Sequence, residues 1–208
     1  MRIRPPAEIY MTDNESCVSC VTLQVLYMFG LEEPPLDVLD IDIRISRMPG
    51  EPCWPGYSHI ELMRHGLNLT LGGGLRAGDD KSVHQTLTQN PTTELKTTEY
   101  ALQRARFAHF EKLRQRVPGK LEGAPYRTNS MGILQLFKER SCSLVLIPLV
   151  IKRGTRSHYA VVYKVINGAF YLYIPQLRSS GMPLFEQASS GQIDQHLSPT
   201  GNIVGVSS

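Results

Sequence analysis

Between Cys17 and Phe29 the chain carries apolar side chains on almost every side of a would-be helix. Cys20, Val21, Gln24 and Met28 share one face at i, i+3 and i+4 spacing, and Leu23, Leu26 and Phe29 lie on the other. A helix with so little polar surface has none to give to water, so the rest of the chain must wrap it. Asp13, Asn14 and Ser16 stand just ahead, each a candidate N-cap, and Gly30 closes the segment. The cover is affordable in one unit. With 208 residues, 41% hydrophobic and 20% charged, the chain has material for a single domain spanning 1–208 around one core.

The remaining segments divide by period. Pro34 and Pro35 open a short helix near 36–45. Ser58 and Glu61 fit a capping box for a third helix ending at His65 and Gly66. Leu67, Leu69 and Leu71 alternate as a strand. A longer helix is predicted over about 98–117, with Arg104, Arg106, Lys112, Arg114 and Arg116 off its apolar side, so a helical insertion is expected near 75–125. A polar linker leads to a helix capped by Asn129 or Ser130. The last third turns to strand. Ser143–Ile151 is a continuous apolar run, a charged turn follows, and His158–Ile166 and Ala169–Ile174 flank Asn167-Gly168, a strong hairpin signal. After Pro175 a loose Ser/Gly/Gln-rich stretch precedes a last strand near 202–206. Helices first and an antiparallel sheet afterwards read as α+β, N-terminal helices packed on a C-terminal sheet.

Several function classes drop out. The apolar stretches Val18–Gly30 and Leu144–Ile151 are too short to span a bilayer, and the basic start has no apolar run behind it. A cytoplasmic chain is expected, with non-classical secretion left open, and its four cysteines (17, 20, 53, 142) as thiols. A net charge of +3 implies no polyanion, and a solvated face explains the 104–116 cations better than a nucleic-acid surface. Cys17-x-x-Cys20 has no second ligand pair at zinc spacing, Gly72–Gly74 lacks the rest of a phosphate loop, and Asp37, Asp40 and Asp42 read as a solvated helix face. No cofactor or metal is expected.

What remains is thiol chemistry. A cysteine nucleophile needs help in losing its proton, a base beside it and donors for the developing oxyanion. Cys17 lies at a helix N-terminus, where free N–H groups and the helix dipole favour negative charge. Cys20, one turn in, points into the helix packing. His158 opens a strand directly after a polar turn, at the sheet edge, and a Cys/His pair distant in sequence can be adjacent in space.

The run from Cys17 to Gly30 resembles the catalytic helix of the double-glycine (bacteriocin-leader) peptidases, a papain-like group. Pro55-Gly56-Tyr57-Ser58, Arg64-His65-Gly66-Leu67, Leu144–Pro148 with His158-Tyr159-Ala160-Val161-Val162-Tyr163, and Gly201–Val206 are similar to that group's later segments. The resemblance implies a papain-like fold, a cysteine peptidase or acyl/amide transferase with Cys17 as nucleophile and His158 as base, and a peptide or protein substrate. The sequence also departs from it. Val18 stands for the glycine after the nucleophile, Met11 for the oxyanion glutamine, and Ile174 for the orienting Asp or Asn. Asn14, Gln176 and Tyr173 are the nearest candidates for those lost roles. The alternative is a peptidase-like module that has lost turnover and grips a peptide or a partner protein.

Overall fold

The computed structural model describes residues 3–47, 55–72, 105–106, 108–150, 157–198 and 201–208. In chain order the elements are α1 (Cys17–Met28), α2 (Val38–Arg44), α3 (Pro55–Arg64), β1 (Asn68–Leu71), β2 (Leu121–Gly123), α4 (Ser130–Glu139), β3 (Leu144–Val150), β4 (Ser157–Ile166), β5 (Ala169–Tyr173), β6 (Phe185–Ala188), α5 (Ser190–His196) and β7 (Val204–Ser207). The seven strands form one sheet in the order β2-β1-β7-β3-β4-β5-β6. Only β1 and β2 run parallel, while the remaining neighbours are antiparallel. The expected α+β class holds, but the sheet is mixed and draws strands from the middle of the chain as well as its end.

Two cores explain the pattern of β3. Leu144 and Leu146 face the core built around α1, together with Val161, Tyr173, Val204 and Val206. Val145, Ile147 and Leu149 face a second core with Ile133 and Leu136 of α4 and Ile193 and Leu197 at α5. A strand buried on both faces must be apolar at every position, which is why Leu144–Leu149 shows no alternation. The N-terminal helices thus cover one face only, and α4 and α5 cover the other. Within α1 every residue but Tyr27 is buried, as its composition requires.

The N-terminal arm is fastened to this core by main-chain groups. Arg4 N–H donates to Met28 O at 2.8 Å. The buried Gln24 amide donates to Ala7 O at 2.9 Å and accepts from Ala7 N–H at 3.0 Å. The Tyr173 hydroxyl donates to Ile9 O at 2.6 Å, and Met11 N–H to Gln176 O at 2.9 Å. A polar residue in the most apolar helix of the chain is therefore a backbone clamp, satisfied as burial demands.

Several sequence expectations change. Ser58 and Glu61 lie inside α3, not at its cap. The Ser58 hydroxyl meets Thr22 Oγ1 of α1 at 2.6 Å, and Glu61 accepts from Arg44 and Arg64. The linker before α4 contains β2, and the stretch after Pro175 holds β6 and α5, the latter started by a capping box of Ser189 and Gln192. Asn129 caps α4 as expected, accepting from Gly132 N–H at 2.8 Å. Of the long helix predicted over 98–117, the described part is helical at 105–106 and 108–114. Residues 98–104, most of the insertion, Cys53 and the charged turn lie outside the described residues. No helix among the described residues is long and apolar enough to cross a membrane.

Replacing Gln24 with Leu leaves the Ala7 donor and acceptor without their partner. Urea denaturation should show a loss of about 1–3 kcal/mol, with faster proteolysis within residues 3–10. Unchanged stability would mean that the arm is held without the clamp.

Candidate active site

The turn before α1 is built by its own side chains. Ser16 occupies the N-cap position but makes no capping bond to the helix. Its hydroxyl instead accepts from Thr12 N–H at 3.0 Å and Asp13 N–H at 3.2 Å, and donates to Asp13 O at 2.9 Å. Asp13 Oδ1 accepts from Glu15 N–H at 2.9 Å. With no side-chain cap in the way, the first amides of α1 stay available, and those of Cys17 and Val18 bear on the Cys17 sulfur.

Arg47, just beyond α2, ties this turn to the helix layer. Its fully buried guanidinium donates to Asp42 through Nε (2.7 Å to Oδ1) and Nη2 (2.8 Å to Oδ2). It donates to Asp13 through Nη1 (3.2 Å to Oδ1) and Nη2 (2.9 Å to Oδ2). The Ser19 hydroxyl of α1 donates to Asp42 Oδ1 as well. The hydrogen bonds it donates to Asp42, and with them those to Asp13, outweigh burial and hold Arg47 firmly protonated. Asp42 is consequently buried and paired rather than part of a solvated face. Asp37 and Asp40 keep surface roles, the first capping α2 at Leu39 N–H and the second pairing with Arg44.

The first turn of α1, with Cys17, meets the start of β4 at Tyr159, the residue after His158. Cys17 is the first residue of α1, almost fully buried. The backbone N–H of Tyr159 on β4 bears on its sulfur, so the thiol sits against the residue next to His158. His158 opens β4 opposite Leu149 of β3, and its Nε2 lies 2.7 Å from Pro175 O, just past β5. A carbonyl can only accept, so Nε2 carries the proton and Nδ1 of the neutral ring is the bare nitrogen. No hydrogen bond joins the Cys17 sulfur to the His158 ring.

The electrostatics favour neutral partners. Burial pushes the Cys17 thiol up, further raised by the Glu15 charge, and the N–H groups of Tyr159, Val18 and Cys17 itself pull it only part of the way back. The expectation that the helix N-terminus would yield a ready thiolate is corrected by this balance, because desolvation outweighs the open amides. Burial likewise lowers the His158 pKa, against the raising effect of the Pro175 hydrogen bond.

The other candidates divide. Met11 is buried, pairs with Leu177 and offers no side-chain donor. Ile174 offers the His158 ring no polar side chain, and the carbonyl of the next residue, Pro175, accepts from the ring instead. No residue-type signal could have revealed this, since the acceptor is main chain. Tyr173 spends its hydroxyl on Ile9 O. Asn14 is exposed in the turn before Cys17, and the Gln176 carbonyl holds the Met11 strand in place.

The papain-like fold suggested by the sequence is the fold of this chain. The structure superposes on the peptidase domain of Streptococcus ComA, described as a bifunctional ABC transporter of a quorum-sensing pathway, with a TM-score of 0.52 over 96% of both chains. Identity is 11%, so the likeness is one of fold. No family model matches the sequence, and no curated protein matches it.

Replacing Arg47 with Met strands Asp42 without its counter-charge and should cost about 3–5 kcal/mol of stability in urea denaturation. Adding Asp42→Leu to Arg47→Met should recover most of that loss. If the double variant is as unstable as the single one, the guanidinium acts through packing and not through its charge.

Proposed function

We propose that the chain is a cysteine-dependent amide-bond enzyme, a peptidase or an acyl or amide transferase. In this reading Cys17 is the nucleophile, His158 the general base, and a peptide or peptide-like amide the substrate. The single observation that carries it is the His158 ring, anchored through Nε2 on Pro175 O while the neighbouring Tyr159 N–H bears on the Cys17 sulfur. In this reading Nδ1, left bare by the Pro175 bond, is the nitrogen that takes the proton of the thiol at the helix N-terminus.

Chemistry follows from the protonation states. Thiol and imidazole are both neutral at rest, so the proton moves during attack. The Cys17 sulfur bonds to the carbonyl carbon as its proton passes to His158 Nδ1, and the carbonyl π electrons become the oxyanion. The N–H groups of Cys17 and Val18 are the main-chain donors available to that oxygen, with Asn14 the one nearby exposed amide. Collapse breaks the C–N bond, His158 returns its proton to the leaving amine, and a thioester remains. Water or an amine then takes the acyl group. A missing side-chain donor at Met11 lowers the rate by about 10²–10³, so a slow enzyme is expected.

Three features support a second reading, a peptidase-like fold that binds a peptide or partner without turnover. They are the apolar Met11, the raised Cys17 thiol, and the lack of a direct bond between thiol and ring.

An activated ester separates the readings without knowledge of the substrate. With p-nitrophenyl acetate, the enzyme reading expects a burst of nitrophenol and an acetyl group on Cys17, absent in Cys17→Ala and slowed about 10²-fold or more in His158→Ala. No acyl adduct, or an adduct spread over all cysteines, leaves the binding module. The pH dependence has a definite sign. Because the Cys17 thiol is raised above its ordinary value of about 8.5, iodoacetamide labelling of Cys17 should climb steadily with pH through 7–9. A plateau reached below pH 7 would contradict the raised thiol.

A further inference from the structure

The acyl-transfer chemistry leaves Cys20 unused. It lies one turn into α1 from Cys17, fully buried, and both are free thiols. We infer that Cys17 and Cys20 form a reversible intrahelical disulfide when the protein meets a peroxide, making the first turn of α1 a protective redox site.

Geometry permits the bond. Residues i and i+3 of a helix have Cα atoms about 5 Å apart from its rise and radius, inside the span of about 4.4–6.8 Å that a disulfide bridges. Cys17 is the first helical residue and follows the 12–16 turn, so one end of the pair lies at the helix terminus. Burial raises the Cys20 thiol, the Cys17 charge raises it further, and the charges of Asp42 and Arg47 and a hydrogen bond with the Ser16 side chain also act on it. Cys20 therefore sits one turn behind Cys17 in the core around α1, within reach of the polar groups at the helix start.

The order of events is set by access. Cys20 has no exposed surface, so the peroxide meets Cys17 first. The neutral Cys17 thiol first gives up its proton, its sulfur attacks one peroxide oxygen, the O–O bond breaks, and the departing hydroxide takes up that proton as water, a step slowed by the raised thiol. Cys17 is then a sulfenic acid. The Cys20 sulfur attacks the Cys17 sulfur, the S–O bond breaks, and the Cys20 proton departs with the hydroxyl as a second water. Two electrons have passed from the thiol pair to the peroxide. A dithiol reductant reverses the change, whereas a lone sulfenic acid proceeds to sulfinic acid, which it does not.

The test is by mass and does not rest on the acyl-transfer reading. Cleavage after Arg residues isolates Cys17 and Cys20 from Cys53 and Cys142, since between Arg4 and Arg44 there is no other Arg or Lys. The full chain is treated with an excess of hydrogen peroxide, denatured, alkylated and mapped. The expected result is loss of two hydrogens from that fragment, loss of Cys17 alkylation, and near-complete recovery with dithiothreitol. In Cys20→Ser or Cys20→Ala, Cys17 should end as sulfinic or sulfonic acid and stay blocked. Recovery in the variants equal to wild type, a wild-type Cys17 sulfinic acid, or a disulfide to Cys53, Cys142 or a second chain would each overturn the inference. A failed ester burst with an intact Cys17–Cys20 disulfide would discard only the enzyme reading.

Discussion

A buried guanidinium between two carboxylates fixes where the candidate nucleophile stands. Arg47 joins the end of the α2 region to Asp13 in the turn that leads into Cys17, and shares Asp42 with Ser19 of α1. Ser16 and Asp13 hold the turn's own shape, while Arg47 fixes where that turn sits on the helix layer. Such a cluster is a poor source of net stability, because desolvating three charges costs about as much as their attraction returns. Its effect is on specificity of position. A directional, double-forked bond admits one placement of the turn, where apolar packing would tolerate several.

Around that fixed point the main chain does work that the family resemblance assigns to side chains. Pro175 O orients His158, and the amides of Tyr159 and Val18 attend the Cys17 sulfur. The balance at the thiol is a contest of magnitudes. A helix terminus is worth about 0.3–1 kcal/mol to an exposed charge and up to about 2 in partly buried geometries, whereas burying an unpaired thiolate costs several times that. Burial wins, and the site rests with a neutral thiol. On the proposed acyl-transfer reading a general base is then indispensable, and the tautomer of His158 decides whether it can serve.

Much of this was legible from residue types. The all-round apolar face of Cys17–Phe29 demanded a central helix, the unbroken run Leu144–Leu149 a doubly buried strand, and Asn167-Gly168 the hairpin that carries His158. The misses share a cause. β2 is three residues held to β1 by backbone pairing, and β6 is a short edge strand, Phe185–Ala188, whose side chains are mostly exposed. Neither needs a hydrophobic signature. Asp42 looked like one of three surface acids because periodicity does not reveal that Arg47, five residues on, folds back over it. The Pro175 acceptor is invisible for the same reason: a carbonyl belongs to every residue.

The most direct measurement is long-range proton–nitrogen NMR of the His158 ring, recorded before and after Cys17 is carbamidomethylated. A neutral ring protonated at Nε2, titrating below the ordinary histidine value of about 6.5, with Nδ1 shifting on modification of Cys17, is the predicted result. A ring protonated at Nδ1, or one whose two nitrogens are blind to the fate of the Cys17 sulfur, would contradict a working pair of thiol and imidazole at the head of α1.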